Sequence, residues 1–209
     1  SPQLKRLDLA LDIFEKLWVQ DQRYTMFVKG KLPNEYDWLW NNRTAREYYL
    51  NIFQRINRSP WKNSIVFDGW GNDVPEWFRK IGFILSVSDS ESFHLAVAEG
   101  MASGAIPIIR DWKGSNKLYP EKFIFNTTDE AVDIITSIRN NTSFVSHLEE
   151  VKNYAREKFE KTNICTQWEK LILSLIEERR LPVHTNSKKS SINEDPQIDN
   201  REGKEIKPN

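Results

Sequence analysis

Apolar positions along the first 180 residues follow two alternating periods. Leu7, Ala10, Leu11, Phe14, Leu17 and Trp18 recur at three and four residues and predict an amphipathic helix, while Tyr24 to Val28, closed by Gly30, reads as a short strand. A polar, aromatic-rich stretch from Tyr36 to Ile56 predicts one long helix. Further strands are predicted at Ser64 to Phe67, Phe83 to Val87, Ala105 to Ile109 and Phe123 to Phe125. A short helix follows Asp73-Val74-Pro75, where Asp caps and Pro sits early. A helix of small residues runs from Phe93 to about Ser103 and closes at Gly104, and three more cover Asp129 to Arg139, Phe144 to Lys158 and Cys165 to Arg179. Short apolar strands separated by helices require crossover connections, hence a parallel sheet buried on both faces. The expected fold class is α/β, a doubly wound parallel sheet with helices on both faces. No internal repeat is evident. Beyond Leu181 the pattern stops: residues 182–209 hold no aromatic and alternate charges among Ser, Asn, Pro and Gly. Such a stretch buries too little apolar surface to offset its ordering entropy, so a folded domain at 1–181 and a disordered polar tail at 182–209 are expected.

Composition narrows the function classes. Thirty Lys and Arg balance thirty Asp and Glu, and the pI near 6.8 removes the basic field that nucleic-acid and anionic-membrane binders carry. No uncharged apolar run approaches the roughly 20 residues that span a bilayer, and the first ten residues do not form a signal peptide. A cytoplasmic location is expected. The single cysteine, Cys165, excludes an internal disulfide framework and a thiolate metal cage. The opening Ser-Pro in place of Met reads as a chain cut from a longer one.

Open parallel sheets bind ligands beyond the carboxyl ends of their strands, which directs attention to the loops after Val28, Phe67, Val87 and Ile109. The loop after Val87 is the richest: Ser88-Asp89-Ser90-Glu91-Ser92-Phe93-His94 runs into the helix beginning Leu95-Ala96. Free N–H groups around Phe93 to Ala96 make a phosphate site at that helix start, assisted by the dipole. Ala96, Ala98, Gly100, Ala102 and Ser103 either let the helix approach a ligand or merely permit tight packing on the sheet. Glu91 and Glu99 bracket the helix start with seven residues between them. The same spacing recurs at Glu149/Glu157 and Glu169/Glu177, where a solvated helix face explains it. Glu91 instead follows a strand, and Glu99 sits in an apolar helix.

The segment Glu91-Ser-Phe-His-Leu-Ala-Val-Ala-Glu99-Gly-Met-Ala-Ser-Gly-Ala-Ile-Pro107 resembles the E-x7-E segment of the group 1 (family 4) glycosyltransferases. Lys5-Arg-Leu-Asp-Leu-Ala-Leu11 is similar to the K-G-x-D-x-A-L opening of the first helix of that family's second domain, and Val66-Phe-Asp-Gly69 to its F-x-G strand. The likeness covers about residues 4 to 140. It implies the Rossmann-like second domain of a GT-B enzyme, which binds a nucleotide-sugar donor, here a UDP-sugar, and transfers the sugar with retention to a glycan, lipid or protein acceptor. It further implies that Glu91 is the catalytic carboxylate at the donor sugar, that Glu99 takes the ribose hydroxyls, and that Lys5 pairs with the diphosphate. The backbone of His94, Leu95 and Ala96 would cradle the distal phosphate. Ser90, Ser92 and Phe93 would complete that loop, and Phe67 and Gly69 would lie beside the base. No metal or other cofactor is expected, because Lys5 and the helix terminus supply the positive potential.

Two departures stand out. His94 occupies a position where the family usually has Gly, so its ring either contacts phosphate or sugar or points to solvent. The family's diphosphate-binding Arg would fall at or before Ser1 and is absent, as are the first strand of the domain and the acceptor-binding domain, the expected partner. The fragment is therefore expected to be inactive alone, and any membrane association of the longer protein would not run through it. Tyr36, Trp38, Trp40 and Trp70 read as core aromatics, while Trp112 and Lys113 follow a strand and are candidate neighbours of the donor pocket. His147 and His184 stand at no metal-ligand spacing. Two rival readings are a non-catalytic α/β interaction module and a nucleotide-sugar epimerase-like domain.

Overall fold

The computed structural model describes residues 2–142 and 144–180. The predicted tail at 182–209 lies outside them. A 3₁₀ turn at Pro2–Lys5 leads into α1 (Leu7–Gln20), β1 (Met26–Lys29), α2 (Asp37–Trp40) and α3 (Arg43–Arg58). Next come β2 (Ile65–Asp68), α4 (Val74–Phe78), β3 (Phe83–Ser86), α5 (Leu95–Ser103), β4 (Ile106–Arg110) and α6 (Ser115–Leu118). The described chain continues through β5 (Ile124–Phe125), α7 (Thr128–Asn140), α8 (Phe144–Phe159) and α9 (Lys161–Arg180).

All strand pairs are parallel, as the short apolar runs require. They form two ladders, β1 with β2 and β3-β4-β5 in order. Ile106, Pro107, Ile108 and Ile109 are all buried, and since successive side chains point to opposite faces, β4 is covered on both. Helices α5, α7 and α8 pack against it. The single sheet read from the sequence is divided here: no ladder joins β1 to β3 among the described residues. Instead, both strands line one largely apolar cleft of about 1050 Å³, together with Ala10, Ile13 and Leu17 of α1.

Helix α1 explains how the two ladders share a core. Its Ala10, Ile13 and Leu17 join the cluster around β4, while Leu11 and Phe14 join Ile52, Ile56, Trp61 and Ile65. The helix is therefore apolar over more than one stripe, and burial on two sides fixes it more strongly than its intrinsic propensity would.

Helix boundaries differ from the sequence pattern at three places, the first being α5, which begins at Leu95 rather than Phe93. The stretch from Tyr36 breaks at Asn41–Asn42, because the Asn42 side chain accepts from the Ala45 N–H and caps a new helix at 3.0 Å. Helix α9 begins at Lys161 rather than Cys165. The described chain divides into two units, the second beginning at Gln167. In the second unit, Trp168, Leu171, Ile172, Leu175 and Ile176 recur at helical spacing and are exposed.

Candidate functional site

Close approach of α5 to the sheet depends on its small residues. A Cβ added at Gly100 would meet Ile84 Cδ1 at 2.8 Å, so glycine lets this helix lie against β3. Gly104 ends the helix at φ +97°, a left-handed cap that glycine adopts without penalty. The amino end of α5 consequently points at the loop Ser88–His94, at the carboxyl end of β3.

That loop is held from three sides. Its Asp89 N–H donates to the Leu4 carbonyl at 2.9 Å, which ties it to the turn before α1. Asp89 also accepts from Arg6 at 3.2 Å and from Arg110 at the end of β4. On the other side the buried Tyr119 hydroxyl donates to the Phe93 carbonyl at 2.7 Å, and the Phe93 ring meets Phe159 edge-on with centroids 5.1 Å apart. Burial, then neighbouring Tyr154 and Glu91, push the Tyr119 phenol up to about 12, so it remains a donor.

Within this frame Lys5 donates to Glu91 at 2.5 Å, the Ser86 hydroxyl and His94 Nδ1 share a hydrogen bond at 2.6 Å, and His94 Nδ1 lies 3.8 Å from Glu91. Burial pushes the Glu91 carboxyl up, but Lys5, the Ser88 hydroxyl and His94 together outweigh it and hold the group below the usual carboxylate range. Burial lowers the His94 imidazole; Glu91 works against that shift and Lys5 adds to it. Lys5, His94, Ala96 and Glu99 all line the cleft between β1 and β3, at the end where α5 begins. The arrangement combines an ammonium, an imidazole, unpaired helix N–H groups and two carboxylates, a donor and acceptor set suited to an anion beside hydroxyl groups.

Backbone conformation singles out two of these residues. Arg6 (φ +47°) and His94 (φ +59°) are the non-glycine residues with positive φ among the described ones, and each stands immediately before a helix, α1 and α5. That conformation costs an L-residue roughly 1–2 kcal/mol.

The remaining predicted positions separate into groups. Ser90, Ser92 and Leu95 are exposed along the same loop and helix start. Phe67 and Gly69 lie exposed at the carboxyl end of β2, with Phe67 edge-on to Phe53, and neither lines the cleft. Trp112 is buried in the core around β4 and its indole N–H has no hydrogen-bond partner, so the donor-pocket reading of this side chain gives way to packing. Conversely, Tyr36, Trp38 and Trp70, read as core, are exposed, Trp40 is half-buried, and it is Leu39 that α2 buries. Arg6, Ser86, Asp89, Arg110 and Tyr119 were not among the predicted site residues. Arg110 stands at the carboxyl end of a buried strand, and that charge was the available signal.

Parallel strands, a loop at the carboxyl end of β3 and a helix beginning at that loop make a Rossmann-like α/β domain of the kind found in GT-B glycosyltransferases. Solved structures share it. Anabaena Alr3699/HepE in complex with UDP and glucose matches with TM-score 0.68 at 19% identity, over 83% of this chain and 46% of that one. The same protein in complex with UDP-glucose gives 0.65 at 20%, with the same shares of the two chains. S. aureus TarM gives 0.63 at 18%, over 80% of this chain and 32% of that one. The chain thus spans less than half the length of these structures. No protein-family model and no curated protein matches the sequence. No described helix is long and apolar enough to cross a membrane.

Proposed function

We propose that this chain is the nucleotide-sugar-binding domain of a retaining glycosyltransferase of the group 1 (family 4) type, with a UDP-sugar donor bound where α5 begins. The observation that carries the reading is the convergence of Lys5, Glu91, His94 and Ser86 beside the α5 amino end, in a cleft that Glu99 also lines. The chains that share the fold include one in complex with UDP-glucose, which supports the choice of base and phosphate chemistry.

In this reading the α5 N–H groups and Lys5 hold the diphosphate, Glu99 accepts from the ribose diol and Glu91 accepts from sugar hydroxyls. As the glycosidic bond breaks, negative charge gathers on the departing diphosphate. A fixed ammonium and a helix terminus stabilise that charge without rearrangement, and this preorganised field is the largest catalytic contribution expected of the site. The acceptor, a glycan, lipid or protein, would be bound by a further domain. The 209-residue chain therefore binds donor and transfers nothing by itself. Calorimetric titration with UDP tests the assignment: binding should weaken about tenfold in Glu99→Ala, the loss of a charge-assisted hydrogen bond. Equal heats for both proteins would remove Glu99 from the ribose, and no heat for the wild type would remove the nucleotide.

A further inference from the structure

His94 is an expensive choice for its position. The backbone there is left-handed, a conformation glycine or asparagine takes more easily, yet the chain places an imidazole in it and buries most of the ring. Strained conformations of this kind persist where the surroundings over-determine them, and the surroundings here are specific. Ser86, itself 1% exposed, holds Nδ1 at 2.6 Å. That leaves Nε2 as the ring's remaining polar atom, on a residue that lines the cleft with Lys5, Ala96 and Glu99. A hydroxyl can donate to a neutral ring nitrogen and accept from a protonated one, so Ser86 fits the imidazole in both states.

We infer that His94 is a proton-linked phosphate contact: its ring is neutral in the empty cleft and takes a proton from solvent when the diphosphate binds, donating from Nε2 to the phosphate beside the α5 amino end. This rests on the nucleotide-sugar reading of the site and deepens it. The charged and titratable groups around the ring agree with such a role. From the β3–α5 loop comes Glu91, which favours the imidazolium at 3.8 Å but is already engaged by Lys5 at 2.5 Å. From the turn before α1 comes Lys5, which opposes it, as does burial. The residue after α6 contributes Tyr119, whose hydroxyl faces the Phe93 and His94 carbonyls and stays protonated, and α5 contributes Glu99 on the cleft wall. Asp89 is occupied by Arg6 and Arg110. Among the described residues the carboxylate printed within 4 Å of the ring is that of Glu91, which Lys5 already engages, and a diphosphate would supply a further anion.

The direction of the pH effect follows. Binding that takes up a proton is tightest at low pH and weakens as pH rises through the pKa of the bound-state imidazole. UDP-glucose is the suitable probe, because both phosphates of its doubly esterified diphosphate stay ionised and its charge is constant across the range in which histidine titrates, about pH 6 to pH 8. Calorimetry in two buffers of different ionisation heat should show proton uptake by the wild-type 209-residue chain and an affinity that falls about tenfold over that range. His94→Asn keeps the left-handed backbone and can still bond Ser86, but it cannot take the proton. It should melt where the wild type does, bind UDP-glucose about tenfold more weakly near pH 6, and show no proton uptake. Wild-type binding without proton uptake, or uptake that persists in His94→Asn, would overturn the inference while leaving the donor site standing. Absence of any UDP-glucose binding by the wild type would overturn the donor reading and this one with it.

Discussion

Single atoms decide how close α5 comes to the sheet. A methyl at residue 100 would sit 2.8 Å from Ile84 Cδ1 and 3.3 Å from Ile84 Cβ, so rotating the isoleucine does not relieve the whole contact and the helix must shift. Overpacking of this kind costs about 1–3 kcal/mol, against which alanine's helix propensity returns about 1 kcal/mol. Gly100→Ala should therefore lower unfolding stability by about 1 kcal/mol in urea titrations; a variant as stable as wild type would show that the approach is not glycine-limited. Glu91 gives a second prediction at this scale. Its folded-state pKa is depressed, so its contribution to stability is present above the ordinary value of 4.5 and is lost as pH falls through the lower folded one. Replacing it by glutamine should flatten the loss of stability between about pH 5 and pH 3. Identical acid profiles for the two proteins would contradict the pairing with Lys5. The carboxylates themselves were legible in the sequence because they flank a helix start after an apolar strand. Ser86 was not, because one hydroxyl within a strand carries no signal until the fold sets His94 beside it.

At the scale of elements, the loop Ser88–His94 is as well defined as its anchors. Tyr119 is the principal one on the α6 side, with its hydroxyl on the Phe93 carbonyl and its ring 5.9 Å from Phe159. Tyr119→Phe removes the hydroxyl, keeps the ring, and leaves a part-buried carbonyl without its donor, a change worth about 1–3 kcal/mol. Hydrogen exchange should quicken across Ser88–His94 in this variant while β4 is unaffected. Unaltered exchange in the loop would assign Tyr119 to packing alone. The strands and most helices could be read directly, since four- and five-residue apolar runs have few other uses in a chain that also carries helical periods. The break between α2 and α3 could not, because the aromatic pattern runs through it and the deciding feature is one asparagine cap. The start of α9 was hidden for a related reason: Lys161, Thr162 and Asn163 give no apolar signal. Aromatic count likewise misled, since Trp38 and Trp70 face outward while Trp61, outside any α-helix, is nearly fully buried.

For the whole molecule, the division into two ladders sets the distribution of stability. β4 has neighbours on both edges, whereas β1 and β3 each pair on one edge and turn the other toward the apolar cleft. Amide exchange should be slowest in β4 and markedly faster in β1 and β3; equal protection across all three would contradict the open edges. A further consequence concerns other polypeptides. An unpaired sheet edge is a template, and here the two strands with one paired edge each, β1 and β3, line one cleft. A strand of another molecule can add to such an edge, so the 209-residue chain should self-associate in a concentration-dependent way, checked by light scattering across a dilution series.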